Sequence, residues 1–306
     1  MVIRRTYILS LTLAFGCAAP GFGAVPGAAP RAVPGEGPVE SPPRIVSLSP
    51  HITELLFAAG AGGRVVGIDD ASNYPAAVAG LPRIGEPAAL DVEGLLKLKP
   101  TLVVLWDSGT PARRKAELQR LHLRLYVTDQ HRLDDIGTTL VDFGRLAGTE
   151  AVAEAAARRF GSELAELRSS YAGRPRLKVF YQVWDRPLYT LSGRHMVSEV
   201  LSLCGGDNVF ADLTTLAPAV DKEAVLARNP DVILVAATGS EGARQVLEWN
   251  RFSGLRAVQR HHVYTVDPTL LGRMSPRILL GVREVCGLLD AARDEPPVGA
   301  PRTPRP

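Results

Sequence analysis

The sequence predicts an α/β protein made of two similar lobes, each built on a mostly parallel sheet, with one long helix between them. Three observations lead there. Short apolar, β-branched runs alternate with helical stretches, a pattern that places helices on both faces of parallel sheets. Two motifs recur in the two halves of the chain. Between the copies, Thr149 to Tyr171 carries Ala151, Val152, Ala155, Phe160, Leu164 and Leu167 at helical spacing with no proline, and twenty such residues extend about 30 Å, the width of a small lobe.

In chain order, strands are expected at Arg44–Ser49, Val65–Ile68, Leu102–Trp106 and Leu123–Val127, then at Leu177–Val183, Val232–Ala236 and His262–Thr265. The first repeat pairs Asp91-Val-Glu93 and Pro100-Thr-Leu-Val-Val with Asp221-Lys-Glu223 and Pro230-Asp-Val-Ile-Leu at one constant offset. Each copy reads as a helix capped by Asp and stopped before Pro, then a strand covered on both faces. The second pairs Glu54-Leu-Leu-Phe-Ala-Ala-Gly60 with Glu199-Val-Leu-Ser-Leu-Cys-Gly205, each a helix closed by glycine. Two widely spaced copies make lobes, since a solenoid needs shorter and more numerous units. The expected organisation is a lobe over 44–148, a connecting helix over 149–172 and a second lobe over 173–293.

Composition agrees. With 46% hydrophobic and 22% charged residues in 306, the chain is globular and long enough for two domains. A formal charge of +3, with basic residues scattered, argues against a nucleic-acid partner. Residues 1–24 read as a secretory signal peptide: Arg4 and Arg5, an apolar run from Tyr7 to Phe15, then small residues through Ala24. The lesser alternative is a lipid anchor on Cys17, because Leu13-Ala14-Phe15-Gly16-Cys17 loosely resembles a lipobox with Phe15 misplaced. A Pro/Gly/Ala-rich linker over 25–43 follows, and a Pro-rich tail over 294–306 is expected to be disordered. No other run is long enough to span a bilayer, so the mature body is expected to be soluble. In an oxidising compartment the remaining thiols, Cys204 and Cys286, are expected to pair rather than stay apart as buried thiols. Closing that loop of about 80 residues would contribute roughly 4 kcal/mol on the chain-entropy model.

Several motifs together carry a family resemblance. They are Arg44-Ile-Val-Ser-Leu-Ser-Pro50 with Thr53-Glu54-Leu55, Tyr74-Pro75, Lys99-Pro100 through Trp106, Val200 through Phe210, Glu223 through Arg228, and Ser275-Pro276-Arg277-Ile278. From about Arg44 to about Leu289 the chain resembles the periplasmic substrate-binding proteins whose two Rossmann-like lobes are joined by one rigid helix. Those proteins serve importers of cobalamin, haem and ferric siderophores, and the match is strongest with the cobalamin-binding branch.

The resemblance implies a non-enzymatic, monomeric carrier without a cofactor, which holds a corrinoid in a cleft between lobes and delivers it to an ABC importer. It supports the Cys204–Cys286 pairing. It places Glu93 and Glu223, one carboxylate per lobe, where such proteins meet arginines of a permease dimer; helix capping and dipole matching alone would account for them at about 0.3–1 kcal/mol each. It puts Tyr74 and Trp106 at aromatic positions of the cleft, whereas Pro87, Ala217 and Pro268 stand where the cobalamin binders carry tryptophans. Trp184 and Tyr189, on the loop after the first strand of the second lobe, would restore stacking surface, and Asp267, Arg273 and Arg277 would supply polar contacts. Local packing is the plainer role for each of these side chains.

Haem or a ferric siderophore on the same scaffold is the nearest alternative. Haem would require an axial ligand such as Tyr74, His51 or His195. An enzyme is the different-class alternative, but the chain has no phosphate loop, nucleophile elbow or zinc-protease motif. The Asp129/His131 pair is a common loop combination that carries little information by itself.

Overall fold

Apolar branched residues set the strands. In the computed structural model, which describes residues 42–294, the first sheet consists of β1 (Ile45–Ser47), β2 (Val65–Ile68), β3 (Leu102–Trp106) and β4 (Leu125–Thr128), in the order β2-β1-β3-β4. Every pairing in it is parallel. Its connections carry α1 (Pro50–Ala58), α2 (Val92–Lys97) and α3 (Ala112–Arg120), and α4 (Leu133–Ala147) follows its last strand. Gly148, at φ +70°, ends α4 in the left-handed region. The chain then enters α5 (Glu150–Tyr171), the expected connecting helix, whose 22 residues span about 33 Å.

The second half comprises β5 (Leu177–Gln182), β6 (Trp184–Asp185), β7 (Leu188–Tyr189), α6 (Met196–Leu203), β8 (Gly206–Asn208), α7 (Lys222–Arg228), β9 (Val232–Ala236), α8 (Gly239–Trp249), α9 (Arg256–Gln259), β10 (Val263–Val266), α10 (Pro268–Leu271) and α11 (Ile278–Asp294). Its parallel sheet runs β10-β9-β5-β8. With β5, β8, β9 and β10 set against β1, β2, β3 and β4, the strand order of the two sheets is the same. The duplication read from sequence is therefore a duplication of topology. It reaches down to backbone: Lys99 and Asn229, each just before the proline that precedes β3 or β9, both adopt φ near +47° and +46°.

Two elements depart from expectation. The Gly-Asp-Asn of β8 has no strand propensity, and pairing with β5 alone makes it one. Trp184 and Tyr189 lie not in a loop but opposite each other in the β6–β7 hairpin. In addition, α11 continues through Asp294, the first residue assigned to the tail. The signal peptide, Cys17, the linker up to residue 41 and residues 295–306 lie outside the described residues.

One core links the lobes. Phe160, Leu164 and Leu167 of α5 are buried in the same cluster as Ile45 and Val104 of the first sheet and Val179 and Val232 of the second. A helix shared in this way cannot act as a free linker, because any swing of the lobes would expose its apolar face. Cys204, at the end of α6, and Cys286, on α11, form a disulfide. Among the described residues no helix is long and apolar enough to cross a membrane.

Candidate functional site

In parallel sheets, ligands meet the loops beyond the carboxyl ends of the strands. Here those ends face each other: Ser49 follows β1, Trp106 ends β3, Asp129 follows β4, and Asp267 follows β10. Trp106, Asp129 and His131 from the first lobe and Arg194, His195 and Met274 from the second line a narrow cavity of about 10 Å³, room for one water. A larger cavity of about 190 Å³ opens in the first lobe and shares Trp106 with it.

Trp106 is held from three sides. Its indole Nε1 donates to Asp129 Oδ1 at 2.8 Å. Ser108 Oγ donates to the other oxygen of Asp129 at 3.0 Å, and His131 Nε2 lies 3.1 Å from it. His51 meets the Trp106 ring edge-on, with centroids 5.3 Å apart. Beneath the indole, Gly109 has no room for a side chain, since a Cβ there would lie 2.0 Å from Trp106.

Tyr74 is 45% exposed, and the Arg277 guanidinium sits 4.2 Å over its ring. Arg277 is itself held by Glu54 at 3.1 Å. Glu54, whose side chain is 2% exposed, also receives Arg273 at 2.8 Å and the Ser275 hydroxyl at 2.5 Å. Arg273 continues to Asn73 Oδ1 at 2.7 Å and to the carbonyl of Ala71 at 3.3 Å. Both arginines thus answer a buried carboxylate of the opposite lobe, fixing the segment that carries Tyr74. Asp267 caps α10, accepting from the Thr269 amide and hydroxyl, each at 2.7 Å. Trp184 is 61% exposed, with Nε1 donating to the Arg186 carbonyl at 3.2 Å; neither it nor Tyr189 lines the two cavities.

The two histidines considered as metal ligands each have Nδ1 engaged locally. His51 is 2% exposed and pairs through Nδ1 with Ser49 Oγ at 2.7 Å. Burial, helped by the charge of Arg273, pushes its pKa down to about 3. His195 caps α6 by accepting the Val197 amide at Nδ1, 3.1 Å away. Its neutral ring therefore carries the proton on Nε2 and has no lone pair there for a metal. Burial, and secondarily His131, hold its pKa near 4.

Glu93 and Glu223 are exposed in the first turns of α2 and α7, beside their caps. Asp91 accepts from the Gly94 amide at 2.9 Å and Asp221 from the Ala224 amide at 2.6 Å. Glu93 also pairs with Lys97 at 2.7 Å. The residues that sequence reasoning missed are Glu54 and Asp129. A carboxylate inside an apolar helix was the available signal for Glu54, and the proximity of Asp129 to His131 for the other.

Two lobes of one topology, tied by a shared helix and lining a common cleft from both sides, define a bilobal ligand-binding protein. The chain belongs to the periplasmic binding protein family, whose pattern matches residues 45–270. It is 34% identical over 252 residues to the vitamin B12-binding protein of Vibrio cholerae, covering 82% of this chain and 91% of that one. The vitamin B12-binding protein of Yersinia pestis is likewise 34% identical, over 81% of this chain and 87% of that one. The crystal structure of the periplasmic vitamin B12 binding protein BtuF of Vibrio cholerae superposes with a TM-score of 0.77 at 34% identity, over 83% of this chain and 99% of that chain. The periplasmic heme-binding protein RhuT of Roseiflexus sp. RS-1 reaches 0.73 at 26% identity, over 82% and 99%.

Proposed function

We propose that this protein captures cobalamin or a related corrinoid in the periplasm, between its two lobes, and hands it to an ABC importer. The observation that carries the reading is the 34% identity sustained over 99% of the Vibrio cholerae B12-binding structure. Site chemistry supports it. A corrin ring needs broad apolar and aromatic contact with a few polar groups, and Trp106, anchored by Asp129, and Tyr74, backed by Arg277, offer fixed rings at the cleft. Trp184 and Tyr189 would join them if the hairpin folds over a bound ring. Arg273, Arg277 and Asp267 act in this reading by holding the cleft walls in place more than by direct contact. Haem is served less well, because His51 is buried and His195 has given up its lone pair, which leaves Tyr74 as the candidate axial ligand.

Glu93 and Glu223 would meet one arginine on each permease subunit, charge supplying register more than affinity. The shared core around α5 keeps lobe motion small, so the importer would release the ligand by prying the lobes apart at those two points. Export without a retained lipid anchor is the favoured route to the periplasm. Calorimetric titration with cyanocobalamin, cobinamide and haemin tests the reading. Corrinoid binding at micromolar strength or tighter, about −8 kcal/mol, with haemin silent is the expected result. Haemin binding with both corrinoids silent would replace it with haem uptake.

A further inference from the structure

We infer that the first-lobe cavity is a subsite for a neutral, hydrogen-bond-donating arm of the ligand, a primary carboxamide on the rim of the corrin. The inference rests on the corrinoid reading above and adds which part of the ligand this chain selects. The cavity measures about 190 Å³, several times the roughly 30 Å³ that one water occupies in the liquid. Its walls include Trp106 and Pro87, with Ser49, Asp69, Glu86 and Thr110 as the polar members; no Lys, Arg or His lines it.

Two features leave its polar lining short of partners, one calling for a donor and one for an acceptor. Asp69 is 1% exposed, and its carboxylate takes the Ser72 hydroxyl at 2.5 Å and the Ala71 amide at 3.1 Å. Burial outweighs these bonds and the charge of Arg273 and raises its pKa, so a further donor would stabilise the charged form. Thr110 is 4% exposed and its hydroxyl has no hydrogen-bond partner in the protein, a state that buried polar groups rarely keep. A carboxamide answers both: its N–H groups donate to Asp69 or Glu86, and its carbonyl accepts from Thr110. A carboxylate arm would instead set its negative charge against Glu86 and the acceptor oxygens of Asp69, in a lining that holds no cation; Arg273 acts on Asp69 from outside that lining. The cavity therefore selects a ring with amide arms over a ring with acid arms, which is a chemical difference between corrins and porphyrin propionates.

The test is calorimetry with cyanocobalamin and its b-, d- and e-monocarboxylic acids, in each of which one rim amide has become an acid. At pH 7 at least one acid is expected to bind tenfold or more weakly than the parent. Thr110→Val, nearly isosteric, should weaken the parent severalfold, and Glu86→Gln, at an exposed position, should narrow the gap between parent and acid. Equal binding of all four ligands, or a gap unchanged in both variants, overturns the subsite while leaving the corrinoid function standing. Absence of binding by every corrinoid overturns the function itself, and the subsite with it.

Discussion

Glu54 on α1 and Glu199 on α6 occupy the same place in the two copies of the repeat, and each sends its carboxylate out of its own lobe. Glu54 takes Arg273, Arg277 and Ser275 of the second lobe. Glu199 accepts the Leu133 amide at the start of α4 at 2.9 Å and Arg168 of α5 at 3.0 Å, with Arg132 at 3.6 Å. The lobes are thus stapled reciprocally, one carboxylate in each direction.

The two staples differ in burial, and their removal should differ in cost. Glu54→Ala leaves two guanidinium groups facing a vacated, nearly dry site, a change expected to cost about 3–5 kcal/mol. Glu199 is 22% exposed, and Arg168 keeps its bidentate bond to Asp134, so Glu199→Ala should cost clearly less. Urea unfolding of the two variants checks the order; an equal or reversed order would refute the argument from burial.

In the proposed function Asp129 would act through Trp106, whose indole it holds. Asp129→Ala should weaken corrinoid binding by about tenfold, the order of one lost charge-assisted hydrogen bond, whereas Asp129→Asn, which keeps the acceptor, should lose much less. Gly109→Ala should mimic the alanine variant by pushing the indole away. Titration of the three variants reads this directly, and full affinity in Asp129→Ala would show that the indole needs no anchor.

Stability should fall with acid in a window set by the two buried histidines. Both rings titrate near 6.5 when free, and near 3 for His51 and near 4 for His195 in the fold. Below pH 6.5 the unfolded chain binds protons that the folded one refuses, so stability is complete above that pH and drops toward pH 4. The limiting slope is about 1.4 kcal/mol per pH unit for each ring. Asp69, with its raised pKa, works the other way at the acid end and offsets part of the loss. His195→Asn retains a capping side chain and should flatten the melting-temperature profile between pH 6.5 and 4. A profile as steep as that of the parent would remove His195 from the account.

Glu93→Arg combined with Glu223→Arg should abolish uptake in a reconstituted importer while calorimetric affinity for the corrinoid stays unchanged. Intact transport by the double variant would dismiss these residues as docking points and leave them as helix-dipole partners.

Replacing both Cys204 and Cys286 with Ala should cost about 2–5 kcal/mol of unfolding free energy. The loss should vanish when parent and variant are compared under reducing conditions.

Local sequence was sufficient for the strands of branched residues, for α5 and for the Asp-capped helices that carry Glu93 and Glu223, because spacing, caps and prolines act within a few residues of where they stand. Duplication added the second lobe but not β8, which lies where β2 lies after its own helix and becomes a strand only by pairing with β5. What the sequence could not contain was the set of partners. Glu54 meets Arg273 across 219 residues, and His51 and His195 engage Nδ1 locally, one as a buried ring beside Trp106 and one as the cap of α6. Burial and long-range charge pairing are properties of the closed chain, and they decided which polar residues face the cleft and which hold it together.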